Sequence, residues 1–329
     1  MRGADEYKKH IDSYISKTLS SNLDKSYLKS FVNYIKLNRS EYTVYNYLRH
    51  VIDFIEYTNK PIVELVYADY LNYESEFLDK TASYRMVKHT ALKVFSEYLH
   101  VTKYTEFDVY KDSPSPKCKE SIETIEKREN NYLEPDDIRL YLQHVNQGFG
   151  TNRALKRQSA WRSRDKAIVV VLLTTGMRCS ALYKLDISDI NFETKRFTIK
   201  EKGKNRIYIL NDFALGSIKD WLVDRERILN GKSEDALFIS NQLTRLSMKA
   251  ISNITVKYGN SVKDIHLTPH KLRATFGTNF YTMTGDIYAT KEAMGHSNIT
   301  MTEIYIRGQN EKSSQLAADK MQELCVSLT

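Results

Sequence analysis

Residues 111–130 constrain this chain more than any other segment. They run Lys-Asp-Ser-Pro-Ser-Pro-Lys-Cys-Lys-Glu-Ser and onward, and they hold two of the chain's five prolines, Pro114 and Pro116. Proline lacks the amide proton that a helix or a central strand requires, so the stretch reads as an extended linker. A chain of 329 residues interrupted there must build one core on each side of the break.

Before the break, apolar residues recur at helical spacing. Tyr27, Phe31 and Ile35 form an i, i+4, i+8 stripe. Tyr45, Leu48, Ile52 and Ile55 share a face of residues 41–57, and Val87, Ala91, Val94, Phe95 and Leu99 a face of residues 82–99. Ile11, Ile15 and Leu19 make a shorter stripe, and residues 69–78 a weaker helix. Helices of this number and length pack as a bundle of domain size.

After the break the pattern is mixed. A second domain starts near Tyr132, with Pro135 in the first turn of a helix running to about His144. Residues 147–164 are polar and basic, a surface loop or short helix. Residues 165–175 are an apolar helix ended by Gly176. Phe197 and Ile199, then Ile207 and Ile209, alternate with polar residues around Glu201-Lys202-Gly203-Lys204-Asn205. That is a β-hairpin with lysine at its tip. The remainder reads as helices over 211–229, 243–258, 269–282, 287–294, 300–306 and 311–325. The expected fold is mainly α with a small β-sheet. Residues 1–110 form a helical domain, 111–130 a linker, 131–310 a mixed α/β domain and 311–329 a C-terminal helix.

Composition narrows the function. Apolar content of 41% and charged content of 27% are globular values. The longest apolar run, residues 167–173, is too short for a membrane span. The polar N-terminus shows no secretory signal. Cys118, Cys179 and Cys325 are scattered without metal-type spacing, which favours a reducing cytosol and argues against structural zinc. The net charge of +8 points to a polyanion, with nucleic acid leading.

One constellation carries chemistry. Thr268-Pro269-His270-Lys271-Leu272-Arg273 opens a helix, with Thr268 as cap and His270 and Arg273 one turn apart. Thr175-Gly176-Met177-Arg178 places a second arginine at another helix start. Guanidinium forks at helix N-termini suit a phosphate, and two of them can hold both non-bridging oxygens. Gly295-His296 follows, then Thr300 and Glu303 as a capping box, then Tyr305. A phenol needs a base and a positive field to act as nucleophile, which His270 and the arginines can supply. A lysine on the hairpin tip, Lys202, is suited to protonate a leaving oxygen. Singly, each has an ordinary reading. The chain holds 23 tyrosines, His-x-x-Arg commonly caps or pairs, Arg178 can bind an aspartate such as Asp189, and Lys202 can be a solvated turn residue. The signal lies in their order and spacing.

On these residues the chain resembles the tyrosine recombinases, also called the phage integrase family. The match runs through Arg164-Asp165-Lys166-Ala167-Ile168, Thr175-Gly176-Met177-Arg178, the lysine hairpin, Thr268-Pro269-His270-Lys271-Leu272-Arg273-Ala274-Thr275-Phe276, and Gly295-His296-Ser297-Asn298-Ile299-Thr300 ending at Tyr305. Residues 131–310 carry it strongly. Residues 40–99 resemble the family's helical, SAM-like core-binding domain more weakly.

The resemblance implies a site-specific DNA recombinase. Tyr305 would form a 3′-phosphotyrosyl link, with Arg178 and Arg273 on the non-bridging oxygens. His270 would assist deprotonation, Lys202 would protonate the 5′-oxygen, and His296 would bind the phosphate. No metal or other cofactor is implied. The partners are double-stranded DNA recombination sites, a homo-tetramer on paired sites, and accessory proteins. The location is cytoplasmic, at the nucleoid. Arg49, Arg85, Lys88, Lys204, Arg153, Lys156 and Arg157 are candidate DNA contacts, with a solvated face as the alternative for each.

Three features depart from the family pattern, one of them the basic stretch 147–164, which is longer than in minimal members and open in its role. Ala181 stands where many members carry an acidic residue, three positions after the first arginine. The hairpin is one residue shorter than usual, which leaves Lys204 a rival to Lys202. About 40 residues precede the helix at Glu41, too few for a separate arm-binding domain. That favours a simple Xer-like, Cre-like or transposon type. The helix after Tyr305, carrying Leu316, Ala317, Met321, Leu324 and Cys325, would be exchanged between protomers by analogy with the family. A type IB-like topoisomerase and a non-catalytic DNA-binding protein of the same fold are the alternatives.

Overall fold

The computed structural model describes residues 7, 9–13, 26–117, 132–201, 204–260, 262 and 266–303. The chain divides into two compact units, Arg2–Glu120 and, grouped with Met1, Ser121–Thr329.

The first unit is built from α1 (Ser26–Lys36), α2 (Glu41–Thr58), α3 (Tyr67–Ser75) and α4 (Ala82–Val101). Ser40 starts α2, its Oγ accepting the Thr43 amide at 3.3 Å. Asn59 ends that helix in the left-handed region, at φ 49°. Tyr27, Phe31, Ile35, Leu48, Ile52, Ile55, Phe95 and Leu99 share one core, which Ile11 joins. Ile15 and Leu19 lie outside the described residues. Val87 departs from its expected stripe and is exposed. The unit also runs past residue 110. Tyr110 is buried and stacks on Tyr70 with ring centroids 4.6 Å apart. Ser113 is buried too, and its carbonyl accepts Lys93 Nζ at 3.5 Å. The first residues of the expected linker therefore pack on the helices.

The second unit contains α5 (Pro135–Gln147), α6 (Asn152–Ser159), α7 (Arg162–Thr175), α8 (Cys179–Lys184), β1 (Ile190–Asn191), β2 (Arg196–Glu201), β3 (Lys204–Ile209), α9 (Asp212–Leu229), α10 (Met248–Gly259), α11 (Pro269–Thr284), α12 (Ile287–Met294) and α13 (Thr300–Glu303). Residues 167–172 of α7 are fully buried all round, which marks it as the central helix. It packs against α5, α9 and α11. Its N-terminus carries a buried polar cluster. The Asp165 carboxylate takes Arg164 at 2.8 Å, Lys257 Nζ at 2.6 Å and the Tyr258 hydroxyl at 3.0 Å.

The basic stretch before α7 resolves into α6, held by Gln158. That buried side chain bonds both the amide and the carbonyl of Phe149, at 2.9 and 2.8 Å. α10 starts later than expected, because Ser247 Oγ caps it through the Ala250 amide at 3.1 Å. At α13 the expected Thr300 capping box gives way to Asn298, whose Oδ1 accepts the Thr300 amide at 3.3 Å. Residues 304–329, including the expected C-terminal helix, lie outside the described residues.

The sheet is antiparallel in the order β1-β2-β3. Strand β1, two residues long, is too short for the sequence to signal. Phe197 pairs with Tyr208 and Thr198 with Ile207. Directly paired residues share a face. Phe197, Ile199, Tyr208 and Leu210 are therefore the buried set, while Ile207 and Ile209 are exposed. The expected inward face of β3 is thus corrected by one residue, because the register aligns its aromatic, not its isoleucines, with Phe197.

Candidate active site

Two turns of the second unit meet at one cleft. The first follows α7, where Gly176 takes φ 59° and an added Cβ would collide with the Phe276 ring. Only glycine fits there. The chain then runs through buried Met177 to Arg178, the N-cap of α8. The second turn follows α12, where Gly295 also takes φ 59° and leads into His296.

Arg273 binds these turns together. It is 4% exposed, and its guanidinium donates to the Gly176 carbonyl at 2.6 Å and the Met294 carbonyl at 2.5 Å. Arg178 donates to the Gly295 carbonyl at 3.3 Å and to Glu201 Oε2 at 2.5 Å. Its carboxylate partner is thus Glu201, at the end of β2, and not Asp189, which caps its own turn through the Asp186 amide at 2.8 Å. Glu201 Oε1 accepts the Tyr208 hydroxyl at 3.1 Å. Burial above all raises the Tyr208 pKa to about 12, so the phenol stays a donor. Ala181, at the position that is often acidic in the family, is buried and apolar.

Arg206 was not singled out in the sequence. It lies over the Tyr208 ring at 4.8 Å. It donates to the carbonyls of Met294 and Ala293, and to that of Glu292 at 3.5 Å. Its place in β3 gives no hint of this, because the acceptors are the last carbonyls of a helix far along the chain.

His296 is buried, with Nδ1 2.9 Å from Thr302 Oγ1. Burial, then the charges of Arg273, Arg178, Arg206 and His270, lowers its pKa to about 4. It is neutral at physiological pH. His270, on the first turn of α11, is exposed at the surface. Partial desolvation and then Arg273 still hold its pKa below the usual histidine value, and solvent access limits that depression. Arg178, Glu201, Arg206, Gly295 and His296 line a common cavity of about 530 Å³. Lys202 and Tyr305 lie outside the described residues, as does the side chain of Lys204.

The described candidate DNA contacts separate into three kinds. Arg153, Lys156 and Arg157 are exposed on one face of α6, and Arg49 and Arg85 are partly buried. Lys88 is 3% exposed, which corrects its placement on the polar side of its helix. Its ammonium donates to the Tyr73 hydroxyl at 2.8 Å and sits 3.8 Å from the centre of the Phe77 ring. Aromatic faces and a phenol replace water around the charge.

Residues 131–312 match the phage integrase family. Tyrosine recombinase XerC of Actinobacillus succinogenes is 37% identical over 147 residues, covering 43% of this chain and 48% of that protein. XerC of Haemophilus influenzae strain PittEE is 35% identical over 144 residues, with coverage of 43% and 48%. The chain spans about half the length of the curated relatives it matches. Among solved structures, the XerH site-specific recombinase bound to palindromic difH substrate, a post-cleavage complex, aligns with TM-score 0.68 at 17% identity, over 94% of this chain and 88% of that one. A lambda integrase (75-356) dimer bound to a COC' core site aligns with TM-score 0.61 at 17% identity, over 85% and 94%. These likenesses establish the mainly helical fold with its small antiparallel sheet.

Proposed function

The chain belongs to the phage integrase family, and from that premise we propose that it is a site-specific DNA recombinase. The observation that carries the reading is the junction of Arg178, Arg273 and His296. They come from three separate segments and are fixed to two adjoining turns through Gly176, Met294 and Gly295. The result is a cationic, partly dry pocket of the kind that stabilises extra charge on a phosphate.

The chemistry is a transesterification. Tyr305 loses its proton with help from His270, and its oxygen attacks the scissile phosphorus. The bond from phosphorus to the tyrosine oxygen forms as the bond to the 5′-oxygen breaks. Lys202 supplies the proton to that leaving oxygen, with Lys204 the alternative donor. Arg178 and Arg273 hold the non-bridging oxygens, and neutral His296 hydrogen-bonds the phosphate. Rejoining is the same step reversed, with the 5′-hydroxyl of a partner strand as nucleophile. One phosphodiester is exchanged for another, so the cycle needs no external energy source.

Double-stranded DNA is the substrate, and this reading takes support from the solved relatives bound to recombination sites. A tetramer on paired sites, accessory proteins and a cytoplasmic, nucleoid location complete it. The first unit serves as the core-binding domain, residues 131–310 as the catalytic domain, and residues 311–329 as the segment exchanged between protomers. No observation favours topoisomerase activity over recombination.

The test begins with a duplex selected by the full chain from a randomised pool. Wild-type protein should form an adduct that survives denaturing gel electrophoresis on a nicked version of that duplex. Tyr305→Phe should bind the duplex equally and form none. An adduct with the Phe variant would remove Tyr305 as the nucleophile.

A further inference from the structure

We infer that Glu201 is a positioning residue for Arg178, supplying from the β-hairpin the carboxylate that α8 lacks at Ala181. The inference rests on the function proposed above.

The geometry separates two roles a carboxylate can play beside a phosphate-binding arginine. One is an occupant that mimics the phosphate. It would take the guanidinium fork with both oxygens and leave when substrate arrives. The other is a brace that uses one oxygen and is itself held from behind. Glu201 fits the second. Oε2 takes a single N–H of Arg178 at 2.5 Å, while Oε1 is engaged by the Tyr208 hydroxyl at 3.1 Å. Its side chain is only 10% exposed, whereas that of Arg178 is 26% exposed and lines the cleft. A guanidinium has five N–H donors. With one N–H on Glu201 and one on the Gly295 carbonyl, donors remain on Arg178 for an anion.

The brace is rigid for a reason visible in the sheet. Glu201 pairs with Lys204 at the end of the β2–β3 ladder, so its backbone is fixed. Tyr208 is buried against Phe197, which fixes the hydroxyl that holds Oε1. Ala181 is 1% exposed, and with it α8 offers Arg178 no carboxylate of its own. An arginine held at two points loses less side-chain freedom when a phosphate binds, and it meets the developing charge in place.

The test compares wild type, Glu201→Gln, Glu201→Ala, Arg178→Ala and the double variant Glu201→Ala/Arg178→Ala. The substrate is the selected nicked duplex, made with either a normal scissile phosphate or a neutral methylphosphonate. Glutamine can still accept from Arg178 and bond Tyr208, so Glu201→Gln should cleave within about threefold of wild type. Glu201→Ala should lose about tenfold to hundredfold in single-turnover cleavage, by analogy with the loss found when the hydrogen-bond partner of a metal ligand is removed. Its DNA affinity should be unchanged. In the methylphosphonate a methyl group replaces one non-bridging oxygen and removes the negative charge, so the gap between Glu201→Ala and wild type should close to within about threefold. Adding Glu201→Ala to Arg178→Ala should cost nothing further.

Wild-type or faster cleavage by Glu201→Ala would overturn the inference, the faster case marking a blocking occupant. An equal loss on both substrates, or an added loss in the double variant, would also overturn it, because that is the signature of general damage. If wild-type protein forms no adduct on the phosphate substrate, the recombinase reading itself fails, and the inference with it.

Discussion

Arg206 and Arg273 donate to the same oxygen, the carbonyl of Met294. One reaches it from β3 and the other from α11. A carbonyl has two lone pairs and can accept both. The shared acceptor is one of the last carbonyls of α12, which have no partner within the helix. Arg206 also takes the Ala293 and Glu292 carbonyls, so its charge sits at the negative end of the helix.

This cap and Gly295 depend on each other. Gly295 lies at φ 59°, and a Cβ built there would collide with the Arg206 guanidinium. Gly295→Ala should therefore destabilise the second unit by about 1–3 kcal/mol through the left-handed backbone and the collision. Arg206→Ala should cost about 1–3 kcal/mol for the carbonyls it leaves. The double variant should cost less than the two together, because truncating Arg206 removes the collision. The chain's two tryptophans, Trp161 and Trp221, both belong to the second unit. Tryptophan fluorescence in a urea titration would read that unit alone, and strict additivity would contradict the arrangement.

His296 should leave a mark on the pH dependence of that same transition. Its pKa is lowered in the fold to about 4 from the ordinary 6.5. Between those values the unfolded chain binds a proton that the folded chain refuses. Stability therefore rises with pH across the window and falls as the pH drops from about 6.5 toward about 4. His296→Asn should flatten the slope of urea midpoint against pH in that window. His50, whose pKa is also lowered to about 4, lies in the first unit. His50→Asn should leave the tryptophan-detected slope as it is. An unchanged slope in His296→Asn would show that the ring is not held neutral by the fold.

The sequence announced these elements unevenly, for physical reasons. Where a helix end depends on one residue's own conformation, as at Gly176 or Pro269, the boundary was legible. The mainly helical class with a small sheet followed from the same local signals. Strand register was not legible, since the choice between Tyr208 and Ile207 as the inward residue depends on pairing with Phe197. Lys88 was misplaced because periodicity treats lysine as polar, and the aromatic cage that houses it comes from Tyr73 and Phe77 on other turns. Glu201 was invisible as a partner of Arg178, because the contact joins a strand end to a helix cap through the fold alone. Arg178, Arg273 and His296, which the fold brings to two adjoining turns, could be picked out by their order. The carbonyls and the carboxylate that hold Arg178 and Arg273 could not.

α6 offers the clearest test of a DNA-facing surface outside the cleft. Arg153, Lys156 and Arg157 stand one turn apart on its exposed face, and Gln158 anchors the opposite side. Changing all three to Gln should leave the urea midpoint in place, since none is buried. It should weaken binding to the selected duplex at low salt. The slope of log affinity against log salt should fall by about 0.9 for each phosphate that is no longer neutralised. Lys88→Gln should leave that slope unchanged, because the buried ammonium neutralises no phosphate. Fluorescence anisotropy across a salt series decides it. An unaltered slope in the triple variant would make α6 a solvated helix only.

The buried cluster at Asp165 sets the last expectation. This carboxylate is fully buried and is surrounded by Arg164, Lys257 and Tyr258. Arg164 continues the cluster, donating to the Ile239 carbonyl at 3.0 Å and lying 4.4 Å over the Trp161 ring. Asp165→Asn keeps the shape but leaves two cations beside a neutral amide. Breaking a buried pair in this way costs about 3–5 kcal/mol, because the remaining charge is stranded away from water. Lys257 is the less buried of the two cations and can turn toward solvent, so the Arg164 guanidinium bears most of the loss. The unfolding free energy of the second unit, read from the urea titration, should drop by that amount. The double variant Asp165→Asn/Arg164→Met, which removes the stranded charge, should recover part of it. No recovery would mean that Arg164 contributes chiefly through its contacts with Ile239 and Trp161 and not through the ion pair.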